Sequence, residues 1–231
     1  MQDPEKRRLL MQALCFGLPA LAPGIADAFF FGNKDKKMPE ERSIHTLTGD
    51  VRVNQQPADL ETRIRAGDQV STGEKSEVVF VVGDDSFILR DNSSIEIDGA
   101  DFLIDQLRVL SGRILSVFAK RDVNSRLLLH SPTATMGIRG TGIYIEAEPD
   151  LTYACTCYGQ VALSASDDPD DTELVTTTNH DSPRYITRDP ARGSRIRPAP
   201  VINHTNIELR LLENLVGRDV PKRLRRTYIK Y

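Results

Sequence analysis

Short apolar runs separated by turn residues make up the middle of the chain. Val51 and Val53 alternate with polar neighbours, which is typical of a strand with one buried face. Residues 78–82 are apolar without interruption, which indicates a strand covered on both faces. Turn residues at 83–85 and 92–94 break the pattern at short intervals. We therefore predict an all-β fold of repeated short strands, either a sandwich or a β-solenoid-like coil.

Residues 131–147 combine a proline, a glycine-rich bend and an apolar run. Pro132 cannot donate to a strand ladder, so it marks the start or the edge of an element. After the bend, Ile143, Tyr144 and Ile145 predict a core strand. A phosphate-binding loop would need a helix after the glycines, and here a strand follows. We therefore assign a structural role to the bend, whose residues are Gly137, Arg139, Gly140, Thr141 and Gly142.

Two further segments have a glycine near the centre of an apolar stretch. Residues 103–118 hold Gly112 between two apolar halves, and the β-branched residues there favour a hairpin over a helix. Residues 153–163 show the same pattern around Gly159. Each glycine is predicted to form the turn of its segment.

Near the C-terminus the apolar spacing changes to that of a helix. Thr205 and Glu208 have the spacing of a capping box, in which each side chain bonds the other residue's backbone amide. Gly217 is suited to end the helix. The apolar residues between them share one face and predict a helix that docks on the β domain; they are Ile207, Leu211, Leu212, Leu215 and Val216.

A basic tail follows the predicted helix. Blocks of like charge are commonly disordered, so a solvated end is one expectation. The other is a weak contact with an anionic membrane or a cell-wall polymer. The cationic residues are Lys222, Arg223, Arg225, Arg226 and Lys230.

The N-terminus has the order of parts that an export signal has. A basic cluster at residues 6–8 precedes a largely apolar run at 9–22 and a small-residue cleavage pattern at 26–28. The adjacent arginines leave Sec and twin-arginine export both open. An uncleaved anchor is the alternative, although glycines and prolines in the run disfavour a spanning helix of about 20 residues. We expect a periplasmic or secreted protein.

Several different short motifs follow one another in a fixed order between about Thr46 and Leu163. This series resembles that of the FecR domain family, the periplasmic domain of iron-dicitrate-sensor-like proteins. The ordered series is more specific than any single motif in it. The matching segments are residues 49–51, 66–68, 71–73, 112–114, 133–134, 138–141 and 159–161.

The resemblance implies a mostly β module outside the cytoplasm that senses or binds a small ligand or an envelope protein. Family members that regulate sigma factors carry a cytoplasmic helical domain, for which residues 1–8 leave no room ahead of the apolar run. We therefore expect a stand-alone exported member without that domain. No motif supports iron-citrate specificity. A structural or scaffolding protein of the cell envelope is the alternative function.

These patterns divide the chain into five parts. We expect an export signal at 1–28, a linker at 29–43, a FecR-like β domain at 44–198, a docking helix at 199–217 and a basic tail at 218–231. The formal net charge of -3 is unlike that of a general nucleic-acid binder, so no nucleic-acid partner is expected. The chain has no G-x-S-x-G nucleophile motif, and we expect it not to be an enzyme.

Cys155 and Cys157 are the candidate residues with distinctive chemistry, since Cys15 lies in the predicted export signal. Residues two apart on a strand point to the same face, so the two thiols should be neighbours. A disulfide between them would be strained, because its geometry is specific. Two unprotected thiols in an oxidising compartment are normally paired or reacted, and a metal ion would resolve this.

Histidines complete the hypothesis of a metal site. His180 lies in a predicted turn and His204 at the entry to the predicted helix, positions from which a ring can reach back to the sheet, and His130 is a weaker candidate. A Cys155, Cys157, His180 and His204 set would suit zinc or another transition metal. Inert buried thiols and a strained disulfide are the alternatives, and zinc knuckles usually separate their cysteines by two or more residues.

Overall fold

Fifteen strands and one helix are present in the part of the chain that the computed structural model describes, residues 37–121, 127–189 and 193–225. The all-β fold with one C-terminal helix is therefore confirmed. The predicted export signal lies outside the described residues. The elements are β1 (Ile44–Thr48), β2 (Val51–Val53), β3 (Gln56–Pro57), β4 (Gln69–Thr72), β5 (Glu77–Val82), β6 (Asp85–Leu89), β7 (Ser94–Ala100), β8 (Leu103–Val117), β9 (Leu127–His130), β10 (Ala134–Ile138), β11 (Gly142–Ala147), β12 (Leu151–Ala165), β13 (Asp168–Thr177), β14 (Arg184–Thr187), β15 (Ile196–Pro198) and α1 (Asn206–Leu215).

The strands form two sheets, which we name sheet A and sheet B. Sheet A has the order β1-β5-β6-β8-β11-β12-β14-β15, and sheet B has the order β3-β2-β4-β7-β8-β9-β10-β12-β13. Neighbouring strands are antiparallel except β8 and β9, which are parallel. The sequence left a sandwich and a β-solenoid-like coil open, and the structure has the sandwich of packed sheets.

The two longest strands belong to both sheets. Residues 103–111 of β8 pair with β7 in sheet B, and residues 112–117 pair with β11 in sheet A. In the same way β12 pairs with β11 through residues 152–158 and with β13 through residues 159–165. A strand that bends and changes sheets forms a corner between packed sheets. The sandwich is therefore joined at two such corners, which gives it a barrel-like form.

The bends in these strands correct two predictions. Gly112 does not form a hairpin turn, because β8 continues through it with a φ of +84°. Gly159 likewise bends β12, with a φ of +93°. The sequence identified positions that need glycine, but it did not distinguish a bend inside a strand from a reversal of the chain.

Sheet A is covered on both faces, as the uninterrupted apolar run of β5 predicted. Val78, Phe80 and Val82 pack into the core between the two sheets. Val79 and Val81 point the other way and pack under α1. The order of layers is therefore sheet B, sheet A and helix.

Helix α1 forms the third layer through its leucine face. Thr205 accepts a hydrogen bond from the Glu208 amide at 3.3 Å, and the Glu208 carboxylate accepts one from the Thr205 amide at 2.7 Å, so the capping box is confirmed. The helix ends at Leu215, and Gly217 follows with a φ of +74°. The buried apolar side chains of the helix are Leu209, Leu211, Leu212 and Leu215.

The first part of the basic tail packs on the same cluster. Val220 and Leu224 are buried against it, whereas Lys222 and Arg223 remain exposed. Up to residue 225 the tail is therefore anchored and not merely solvated. Within the described ranges no helix is both long and apolar enough to cross a membrane.

Candidate metal centre

Strand β12 places two thiols side by side beneath the helix. Cys155 and Cys157 point to the outer face of sheet A, and neither side chain has contact with solvent. Both are free thiols. The neighbouring thiols that the alternation along a strand predicted are therefore present, and the strained disulfide is not formed.

Two turns bring imidazole rings to these thiols. His180 follows β13 in a left-handed conformation with a φ of +56°, and its amide donates to the Cys157 carbonyl oxygen at 3.0 Å. His204 precedes the helix cap, directly after Asn203, which has a φ of +58°. Histidine and asparagine adopt this conformation more readily than most other residues do, and the two turns place both rings beside β12.

The four predicted side chains converge. The ligating atoms of Cys155, Cys157, His180 and His204 all lie within 4.8 Å of one another, and all four residues are buried. His130, the weaker candidate, lies on sheet B and bonds Thr135 at 3.1 Å. The structure therefore contains the Cys₂His₂ set and not the set with His130.

The distances in the cluster resemble those of a tetrahedral centre. The Cys155 Sγ atom lies 3.5 Å from His180 Nδ1, and that nitrogen lies 2.9 Å from His204 Nε2. Zn–S bonds of about 2.3 Å and Zn–N bonds of about 2.0 Å require an S···N separation of about 3.5 Å and an N···N separation of about 3.3 Å. The imidazoles need to separate by only a few tenths of an ångström.

Hydrogen bonds on the outer side of each ring fix which nitrogen carries its proton. His180 Nε2 lies 2.8 Å from Asn206 Oδ1, and His204 Nδ1 lies 2.6 Å from the Ile202 carbonyl oxygen. Both oxygens are acceptors, so each outer nitrogen donates. With both outer nitrogens donating, the inner nitrogens lie 2.9 Å apart only if a proton or a metal ion is held between the rings.

The thiols differ in their electrostatic surroundings. Hydrogen bonds from Cys157, His180 and His204 to the sulfur lower the pKa of Cys155, against the opposing effect of burial. Burial raises the pKa of Cys157. The site therefore favours a thiolate at Cys155 beside the two imidazoles, and a bound metal ion would also deprotonate the second thiol.

Further contacts hold the segment that carries His204. The Tyr153 hydroxyl donates to the Pro200 carbonyl at 2.9 Å and accepts from the Ile202 amide at 3.2 Å. Tyr144 stacks on the His204 ring with 4.6 Å between centroids. These supporting residues fix the ring orientation, which is how the surroundings of a metal site tune its ligands.

Sequence reasoning identified all four ligand candidates but missed their supports. The sequence pattern assigns Asn206 to the helix and gives it no role at the site. It lies two residues after His204, and in the structure its side-chain oxygen contacts the His180 ring. Tyr144 was read only as a core residue of its strand. The sequence could not identify the Ile202 carbonyl as a support of the site, because every residue has a backbone carbonyl.

Of the predicted glycine-rich bend, only Arg139, Gly140 and Thr141 lie between strands. Gly137 lies in β10, and Gly142 begins β11, where a Cβ atom would lie 2.4 Å from the Tyr158 ring. Between them Arg139 is exposed and Gly140 has a φ of +62°. Thr141 is buried and donates to the Gln160 carbonyl at 3.1 Å. The bend carries the chain from sheet B to sheet A.

The fold and the site define an all-β protein with a buried cluster of four potential metal ligands, two cysteines and two histidines. The chain matches no protein-family model, and it matches no curated protein. Among solved structures it is similar to two crystal structures, each of a candidate anti-sigma factor from Parabacteroides distasonis.

The first match has a TM-score of 0.43 and 12% sequence identity and covers 52% of this chain and 54% of the other. The second has a TM-score of 0.45 and 12% identity and covers 61% and 70%. The chain thus spans about half the length of the first of these structures. Similarity at this level does not identify a shared function.

Proposed function

We propose that this protein is a non-enzymatic sensing or binding module that works outside the cytoplasm, and that its Cys₂His₂ cluster holds zinc or another transition metal. The export pattern at residues 6–28 and the FecR-like series of motifs support the first part. The convergence of four buried ligands supports the second.

The observation that carries the metal proposal is the pair of facing imidazoles. Both outer nitrogens face oxygen atoms, so the inner nitrogens, 2.9 Å apart, are directed at each other and can hold a proton or a metal ion between the rings. A thiolate at Cys155 supplies the matching negative charge. Two sulfur and two nitrogen ligands in a tetrahedral set are typical of zinc.

The composition of the site supports a structural and not a catalytic role for the metal. Catalytic zinc sites have three protein ligands and leave the fourth position to water or substrate. Here four protein ligands are present and all are buried. An ion bound by all four would therefore stabilise the packing of the helix side of the molecule.

Metal analysis of the purified protein tests this proposal. We expect about one zinc ion per chain, since the four ligands form one site. Cys155→Ser and His204→Ala should each lower the zinc content severalfold, whereas His130→Ala, on the opposite sheet, should not change it. After cobalt substitution, absorption bands of tetrahedral thiolate-bound cobalt should appear in the wild type. A folded wild type that takes up no metal contradicts the proposal.

Fractionation of native cells tests the location and the binding role. We expect the protein in the periplasm or medium without its first 28 or so residues, as the leader pattern predicts. A small molecule or an envelope protein that is captured with the mature chain supports the module. Chain found in the cytoplasm with its leader still attached contradicts the proposal.

A scaffolding role in the envelope is the second candidate function. The specific observation in its favour is the anchored tail, in which buried Leu224 holds the exposed Lys222 and Arg223 at the surface. Fixed cationic groups attract anionic polymers at low salt. Recovery of cell-wall fragments with the mature protein, without a small molecule, would favour this role.

A further inference from the structure

We propose that the metal is a latch that holds the C-terminal segment, residues 199–225, on sheet A, and that the two-sheet body remains folded when the metal leaves. This inference rests on the proposed metal centre. It adds a regulatory role to that centre, because the presence or absence of the metal would determine whether the outer face of sheet A is covered.

The ligands are divided between the body and the segment. Cys155 and Cys157 lie in β12, which pairs with β11 and β14 within sheet A. His180 lies in the turn after β13 and is tied by its amide to the Cys157 carbonyl. His204 alone of the four belongs to the segment. A metal ion bound by all four would therefore bond the segment directly to the centre of sheet A.

Helix α1 depends on docking for its stability. It has 10 residues, and isolated helices shorter than about 12 residues are marginal in water. Its leucine face is buried in a cluster with the outer face of sheet A and with neighbouring residues such as Met38, Val220 and Leu224. If the segment leaves the sheet, we therefore expect the helix to unfold and not to persist as a free element.

The polar contacts at the start of the helix meet at the metal site. His204 and Asn206 both bond the His180 ring, at 2.9 Å and 2.8 Å. Without a metal, the inner nitrogens can share only a proton, and the bonds that a metal ion would make between His204 and the two sulfur atoms are lost. The Arg90 contact with Glu208 at 2.6 Å and the buried bond from the Ser86 hydroxyl to the Leu212 carbonyl at 2.8 Å do not involve the metal and would remain.

The body has its own core, which does not involve the segment. The cluster between the sheets is built from strands β1 to β15 and holds, among others, Ile44, Phe80, Leu107 and Val161. The helix cluster lies on the opposite face of sheet A. Loss of the segment therefore uncovers an apolar face while the inner core stays packed, and the residues uncovered include Val79, Val81, Ile88, Leu115 and Tyr144.

Hydrogen exchange of the full chain, with zinc and after removal of zinc under reducing conditions, tests the latch. We expect amides of α1 to lose about 100-fold of protection without zinc, as for removal of a ligand present at about 100 times its Kd. Amides of β5 and β11 should keep their protection. His204→Ala should show the zinc-free pattern even with zinc present, and His130→Ala should behave as wild type.

The outcomes separate the latch from the metal centre. If zinc binds and α1 is equally protected with and without it, the latch is wrong and the metal centre stands. If the strands lose protection together with the helix, the metal stabilises the whole fold and the latch is wrong as well. If the chain takes up no zinc, both proposals fail.

Discussion

Asp85 is a carboxylate buried completely at the start of β6. It accepts a hydrogen bond from the Ala119 amide at 2.8 Å and forms an ion pair with Arg121. Burial raises the pKa of Asp85 from 3.8 to about 6, although Arg121 and the Ala119 amide oppose the rise. The folded state therefore favours the protonated form more than the unfolded state does.

This shift predicts a pH dependence of stability. Because the folded pKa is the higher one, the contribution of Asp85 is fully present below about pH 4 and is lost as the pH rises through about 6. A difference of about two between the folded and unfolded pKa values corresponds to roughly 3 kcal/mol in the free energy of unfolding. The free energy of unfolding of the wild type should fall by up to that amount relative to Asp85→Asn between these pH values.

Urea unfolding of both proteins at several pH values measures this difference. The two proteins share every other titrating group, so the difference between their profiles isolates Asp85. Parallel profiles across the range would show that Asp85 does not titrate as described.

The residues of the metal centre could be selected from the sequence because their chemistry is rare in this chain. Alternation along a strand made Cys155 and Cys157 neighbours before any fold was known. The choice of His180 and His204 over His130 depended on how the turns fold. Their distances from the thiols are set by strand pairing, which the sequence pattern does not specify.

At the scale of elements, the bent strands β8 and β12 hold the two sheets together. Gly112 lies where β8 passes from sheet B to sheet A, and a Cβ atom there would lie 2.5 Å from the Ser93 Cα atom. Its φ of +84° is also unfavourable for other residues. The bend therefore requires glycine for two separate reasons, conformation and space.

A pair of glycine substitutions separates these two reasons. Gly67 has a φ of +95°, but its Cβ position has no atom within 4 Å. We predict that Gly67→Ala lowers the free energy of unfolding by about 1–2 kcal/mol, the cost of a left-handed conformation. Gly112→Ala should cost about 2 kcal/mol more, because the Ser93 backbone must move. Urea denaturation of both variants, each loaded with zinc, measures the costs, and equal losses would refute the steric argument.

Helix α1 was the element most fully predicted from the sequence. Its start at the capping box of Thr205 and Glu208 is encoded by residues only three positions apart. Its apolar face follows from the helical period. By contrast, the pattern around Gly112 was misread as a hairpin, because a bend and a turn both need a flexible residue between two apolar runs.

At the scale of the whole molecule, the three layers explain why sheet A is apolar on both faces. Its inner face packs on sheet B and its outer face packs on α1. The Cys₂His₂ cluster lies in the second of these interfaces and joins β12, the turn after β13 and the approach to α1. If the latch is correct, the outer interface is the part of the molecule whose stability depends on metal.

The sequence by itself determined the β character of the chain, the capped C-terminal helix with its apolar face, and the pairing of two thiols on one strand. Each of these follows from residues a few positions apart, through the periods of strands and helices and the geometry of caps. Only the tertiary structure decided that β8 and β12 are shared between two sheets. It also decided that His180 and His204 meet Cys155 and Cys157. These contacts join residues some 20 to 50 positions apart, and they depend on which strands pair and in what register, which no local pattern of residues specifies.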